Sequence, residues 1–140
     1  MKEKVMVKIQ KNSFSVLNLM LLFIVLASFN PFGSQALAGG FANTCKRVRV
    51  SGSWLSARCK TRRANYKNTG INLNNFVTNR NGYLRFSNRG GNFSASCKNI
   101  RIAGKSTLRA DCRTFQRDYR NTSLNLNGRI TNRNGTLDFD

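Results

Sequence analysis

Val77 to Phe86 reads V-T-N-R-N-G-Y-L-R-F, and Ile130 to Phe139 reads I-T-N-R-N-G-T-L-D-F. The two stretches lie 53 positions apart, as do Cys59 and Cys112, while Cys45 and Cys97 lie 52 apart, so the second copy has one extra residue between its cysteines. Tyr66 matches Tyr119, Asn72-Leu73-Asn74 matches Asn125-Leu126-Asn127, and Phe41 matches Phe93 near the start of each copy. The chain from Phe41 onward is therefore a tandem duplication, with repeat 1 at about 41–91 and repeat 2 at about 92–140. A unit this short cannot bury its hydrophobic face alone, so each copy needs the other to close a core. One pseudo-symmetric domain is expected rather than two independent ones.

Within each copy the apolar period is two. Val48 and Val50 alternate with Arg47 and Arg49, Leu84 and Phe86 with Tyr83 and Arg85, Leu137 and Phe139 with Thr136 and Asp138, and Ile100 and Ile102 flank Arg101. This alternation predicts half-buried antiparallel strands with arginines on the wet face. Asn81-Gly82 and Asn134-Gly135 sit between such runs, where two residues tolerant of positive φ predict type I′ hairpins. Ser51-Gly52 and Ala103-Gly104 are expected turns. The pattern leaves no room for long helices, and at most for one helical turn after Cys59 and after Cys112.

Residues 1–38 differ in kind. Lys2, Lys4, Lys8 and Lys11 precede an apolar run from 14 to 28, and Ala36-Leu37-Ala38 has A-x-A spacing. This is the layout of a cleaved signal peptide at 1–38. An uncleaved membrane anchor is the alternative, although the run falls short of the roughly 20 apolar residues that a span requires. A secreted or periplasmic product beginning at Gly39 is expected. An oxidising compartment favours two disulfides for the four cysteines, and equal placement in each copy predicts Cys45 with Cys59 and Cys97 with Cys112. Metal binding fits poorly, because the chain has no His and no C-x-x-C pair. From residue 39 onward there are 20 Lys and Arg against four Asp, a net charge of +16. Such a field draws anionic polymers whether or not they are the proper ligand.

The duplication, the unequal cysteine loops, the pattern A-G-x-S-x-L-x-A-x-C from Ala103 to Cys112, the I-N-L-N and L-N-L-N segments and the N-x-x-G-x-L hairpins together resemble cyanovirin-N and its homologues, a family of small lectins. The resemblance spans Phe41 to Asp140. It implies an all-β, cyanovirin-N-like fold of two pseudo-symmetric lobes, each a three-stranded antiparallel sheet plus a hairpin, with strands exchanged between repeats. It also implies two carbohydrate sites recognising mannose-rich glycans, with no catalysis and no cofactor.

Carried over by position, the first site comprises Asn43, Thr44, Lys60, Arg62, Arg63, Asn132, Arg133 and Asn134. The second comprises Thr78, Asn79, Asn81, Asn92, Ser96, Arg113, Thr114, Phe115 and Arg117. Asparagine suits sugars because one amide offers both a donor and an acceptor. Where cyanovirin-N uses carboxylates, this chain has Lys60, Thr78, Asn81 and Asn134, and in the second site the family's Arg and Gln positions are Phe115 and Arg117. The exchange of acceptors for donors points either to loss of mannose binding in one site or both, or to a preference moved toward glycans carrying phosphate, sulfate or uronate, which arginine recognises well. The alternative function is polyanion binding, to nucleic acid or anionic polysaccharide, on the same fold without specific sugar recognition. A monomer is expected over a dimer exchanging halves.

Overall fold

A computed structural model describes residues 39–140, and the signal-peptide reading of 1–38 lies outside the described residues. Repeat 1 contributes β1 (Cys45–Ser51), β2 (Trp54–Lys60) and β3 (Tyr66–Asn72), paired in that order as one antiparallel sheet, followed by the hairpin β4 (Val77–Arg80) and β5 (Tyr83–Phe86). Repeat 2 follows the same plan. Strands β6 (Cys97–Ala103), β7 (Thr107–Arg113) and β8 (Tyr119–Asn125) form its sheet, and β9 (Ile130–Arg133) and β10 (Thr136–Phe139) form its hairpin.

The two disulfides are Cys45–Cys59 and Cys97–Cys112, both within a repeat and both joining residues directly opposite in the register. Each closes a loop of 14 or 15 residues, which contributes about 3 kcal/mol in the chain-entropy model. The extra residue of repeat 2 lies in the turn after Ala103, where three residues connect β6 to β7 against two between β1 and β2. The cystine register is thus left untouched.

Each hairpin packs on the sheet of the other repeat. Thr122 Oγ1, on β8, accepts a hydrogen bond from Leu84 N of β5, and Thr69 Oγ1, on β3, accepts one from Leu137 N of β10. One lobe is therefore β1–β3 with β9–β10, and the other is β6–β8 with β4–β5. Between them runs a single continuous core that includes Phe41, Leu55, Leu73 and Val77 of repeat 1 and Phe93, Leu108, Leu126 and Ile130 of repeat 2. Burying side chains of this size contributes about 1.5–3 kcal/mol each.

Single 3-10 turns occur at Phe41–Asn43, Leu73–Asn75, Phe93–Ala95 and Leu126–Gly128. None follows Cys59 or Cys112, where a helical turn had room to form. Those segments are tight loops with Ala64 and Arg117 at positive φ, closed by Thr61 N donating to Asn65 O and Thr114 N donating to Asp118 O. The N-L-N segments instead start the turns: Asn72 and Asn125 cap Asn74 N and Asn127 N through their side chains, while Leu73 and Leu126 are buried. Strands β1 and β6 both carry a bulge, with Arg47 at φ 55° and Asn99 at φ 54°.

The exchanged packing makes the threonine hydroxyls the acceptors for otherwise orphaned amides. Replacing Thr122 by Val leaves the buried Leu84 N–H unpaired and is expected to cost about 1–3 kcal/mol in urea unfolding. Thr69→Val, at a less buried position, is expected to cost less.

Candidate functional site

The duplicated T-N-R-N-G forms the tips of both hairpins. Asn81 and Gly82 have φ of 51° and 84°, and Asn134 and Gly135 have 53° and 87°. Both pairs match the type I′ geometry, with both central residues at positive φ. Each tip presses on the loop between the second and third strands of the opposite repeat's sheet. A Cβ on Gly82 would lie 2.9 Å from Thr114 Cγ2, and one on Gly135 would lie 2.8 Å from Thr61 Cγ2.

Asparagine amides fasten the contact. Asn132 Nδ2 donates to Thr44 Oγ1 (3.0 Å) and to Lys60 O (2.8 Å), its Oδ1 accepts from Gly135 N (2.8 Å), and Asn134 Oδ1 accepts from Arg62 N (2.9 Å). At the other end Asn79 Nδ2 donates to Ser96 Oγ (3.0 Å) and Arg113 O (2.8 Å), its Oδ1 accepts from Gly82 N (2.8 Å), and Asn81 Oδ1 accepts from Phe115 N (2.9 Å). The two ends are thus built identically from repeat-equivalent residues.

Thr44, Lys60, Arg62, Asn132 and Asn134 are brought together by these bonds, with Asn43 and Arg63 exposed on the adjoining segments. Arg133 is placed differently. Strand alternation turns it to the hairpin face opposite Asn132, where it pairs with Asp138 (3.0 Å) and Asp140 (2.7 Å). These carboxylates raise its pKa, the Asp140 hydrogen bond foremost. In the second group Asn79, Asn81, Ser96, Arg113, Thr114 and Phe115 meet, whereas Thr78 alternates to the far face of its hairpin, paired with Arg85. Asn92 stands exposed before the Phe93–Ala95 turn, and Arg117 is exposed in the loop. The Thr114 hydroxyl is buried without a partner.

The amide donors of Asn79 and Asn132 are therefore occupied within the protein, and the exposed side chains around them are those of the strand-connecting loops. Phe115 is 83% exposed. Gln116, next in the loop, is also exposed; it was not among the candidates, although the 53-residue offset pairs it with Arg63. Among the described residues no group of three or more His, Cys, Asp or Glu gathers as a metal site would require.

This arrangement has known counterparts. The CVNH domain model matches residues 41–138, and the chain belongs to that family. It is similar to the CVNH of Gibberella zeae at 30% identity, covering 71% of this chain and 95% of that one with a TM-score of 0.63. It is also similar to microvirin in a microvirin:mannobiose complex, at 26% identity, covering 73% and 99% with a TM-score of 0.63. A MoCVNH3 variant, solved with (N-GlcNAc)4, shares the fold at 22% identity, covering 74% and 99% with a TM-score of 0.69.

Because the amide of Asn132 makes three bonds at once, Asn132→Ala is expected to lower unfolding free energy by about 1–2 kcal/mol, and Asn79→Ala by a similar amount. Gly135→Ala combines positive φ with the Thr61 clash and is expected to cost more than about 1 kcal/mol. Chemical denaturation of the three variants checks the order.

Proposed function

We propose that the protein is a non-enzymatic lectin, secreted or periplasmic after removal of residues 1–38, that binds mannose-rich glycans at its two hairpin-tip ends. The observation that carries this reading is the repeat-equivalent pair of ends, each a rigidly fastened hairpin tip beside a loop of exposed polar side chains, in a chain of the CVNH family. The similarity to microvirin, which forms a complex with mannobiose, supports the oligomannose preference. Two disulfides support passage through an oxidising compartment.

A second reading follows from the charge at these ends. Lys60, Arg62 and Arg63 gather at one end and Arg113 and Arg117 at the other, all exposed. Glycans bearing sulfate, phosphate or uronate groups would meet guanidinium donors there. Adsorption of polyanions without sugar recognition is the remaining alternative.

A glycan array probed with the disulfide-bonded protein at low and high salt, beside single-stranded DNA and heparin, separates these readings. Neutral oligomannose signal is expected to persist at high salt, because no counterions are released on binding. Loss of every signal at high salt overturns the lectin reading. In calorimetry, Arg62→Ala with Arg63→Ala, or Phe115→Ala with Arg117→Ala, is expected to remove one class of sites and leave the other.

A further inference from the structure

The outer face of the first sheet holds a cationic cavity whose lining residues belong to neither hairpin-tip site. It is a depression open to solvent, with a volume of about 300 Å³, lined by Arg47, Arg49, Ser56, Arg58 and Asn68 and, along its floor, by buried Ala57 and by Thr69, whose hydroxyl is turned away to β10. The β1 bulge brings Arg47 to it. Lys46 pairs with Arg58 and Arg49 with Ser56, so the extra residue between them carries Arg47 to the same rim, at φ 55°. Arg58 in turn pairs with Asn68 across β2 and β3.

The duplication supplies an internal control. At the positions equivalent to Arg47, Arg49, Ser56, Arg58 and Asn68 stand Asn99, Arg101, Arg109, Asp111 and Asn121 of repeat 2. There Asn99 Nδ2 donates to one carboxylate oxygen of Asp111 (2.7 Å) and Asn121 Nδ2 to the other (2.8 Å). Those two hydrogen bonds hold the Asp111 carboxyl below its ordinary value, with the charges of Arg101 and Lys98 adding to the effect. Repeat 2 therefore carries a built-in anion that ties its three strands together. In repeat 1 Asn68 and Arg49 are kept, but the carboxylate is replaced by Arg58 and the first asparagine by Arg47. Ion pairs among the described residues involve Arg133 alone, so none of the three arginines of the cavity has a carboxylate partner there.

We propose that this cavity binds an external oxyanion, a sulfate or phosphate group, in the place that Asp111 fills in the other repeat. Guanidinium groups offer paired N–H donors to two oxygens of such a group. Asn68 corresponds to Asn121, which already donates to an anion in repeat 2. The site is independent of sugar recognition at the hairpin tips.

The test is a titration of the disulfide-bonded protein, followed by amide and arginine Nε–H resonances at constant ionic strength. Sodium sulfate, sodium phosphate, a sulfated disaccharide and its unsulfated parent serve as the probes. Saturable shifts confined to residues 46–49, 56–58 and 68 are expected with the anions and absent with the unsulfated sugar. Tighter binding of the sulfated disaccharide than of inorganic sulfate assigns the group to a glycan, and equal binding assigns it to the free ion. Arg47→Asn with Arg58→Asp, which rebuilds the repeat 2 set, is expected to weaken binding about tenfold or more. Replacing Arg47, Arg49 and Arg58 together by Lys keeps the charge and removes the paired donors, and a loss of similar size is expected. Shifts that never saturate, that spread over all arginines alike, or that survive the lysine variant unchanged overturn the proposal.

Discussion

The structure depends on an asparagine amide that fastens a hairpin of one repeat to the strand end of the other. Asn132 donates to Lys60 O and Asn79 to Arg113 O, the carbonyls that immediately follow the cystine residues Cys59 and Cys112. The constraints are serial. The disulfide fixes where the second strand ends, the amide takes its position from that end, and the glycine at the tip permits the approach. Because the hairpin is exchanged, neither repeat has a complete interior alone, and the continuous core draws on both. The duplicated turn is thus conserved between the copies for a reason of packing: the same lock is used twice.

That lock also fixes what the two ends offer to a ligand. With both amide protons of Asn79 and Asn132 engaged, the free polar and aromatic groups at each end are those of the exposed loop residues, carried on a hydrogen-bonded frame. Here the copies have diverged. Arg62 and Arg63 at one end face Phe115 and Gln116 at the other, on loops of the same length closed by the same hydrogen bonds. One end carries Lys60, Arg62 and Arg63, and the other sets an exposed aromatic face and an amide beside Arg113 and Arg117. The backbone frame is common, so differences in preference between the ends reside in these side chains.

Most of the frame was legible in the sequence because it is written locally. Asn-Gly demands its turn, alternation demands strands, and a cysteine pair recurring in each copy demands closure within the copy. The destination of each hairpin was not written locally; it came from the family resemblance, since a half-buried hairpin fits either sheet by pattern alone. The bulges were equally hidden. Arg47-Val48-Arg49-Val50 reads as plain alternation, and nothing in an arginine announces left-handed backbone; pairing across the sheet imposes it. At the tips, Asn79 and Asn132 suited both a structural and a ligand-binding purpose, and only the hydrogen-bond geometry shows their amides occupied. Arg133 and Thr78 entered the site lists by position from the family resemblance, and a period of two sets them on the hairpin faces opposite Asn132 and Asn79.

The placement of the acids completes the electrostatic picture. Every carboxylate side chain from residue 41 onward belongs to repeat 2. Hairpin exchange carries Asp138 and Asp140 into the lobe built on the first sheet, but Arg133 of the same hairpin engages both. Asp111 is bound by two asparagines on its own sheet. The first sheet's outer face therefore gains no neutralising carboxylate from the exchange, with Arg47 and Arg49 exposed and Arg58 half-buried. The excess of positive charge on the first sheet is a consequence of this distribution, and the copies differ there at one repeat-equivalent position, Arg58 in repeat 1 against Asp111 in repeat 2.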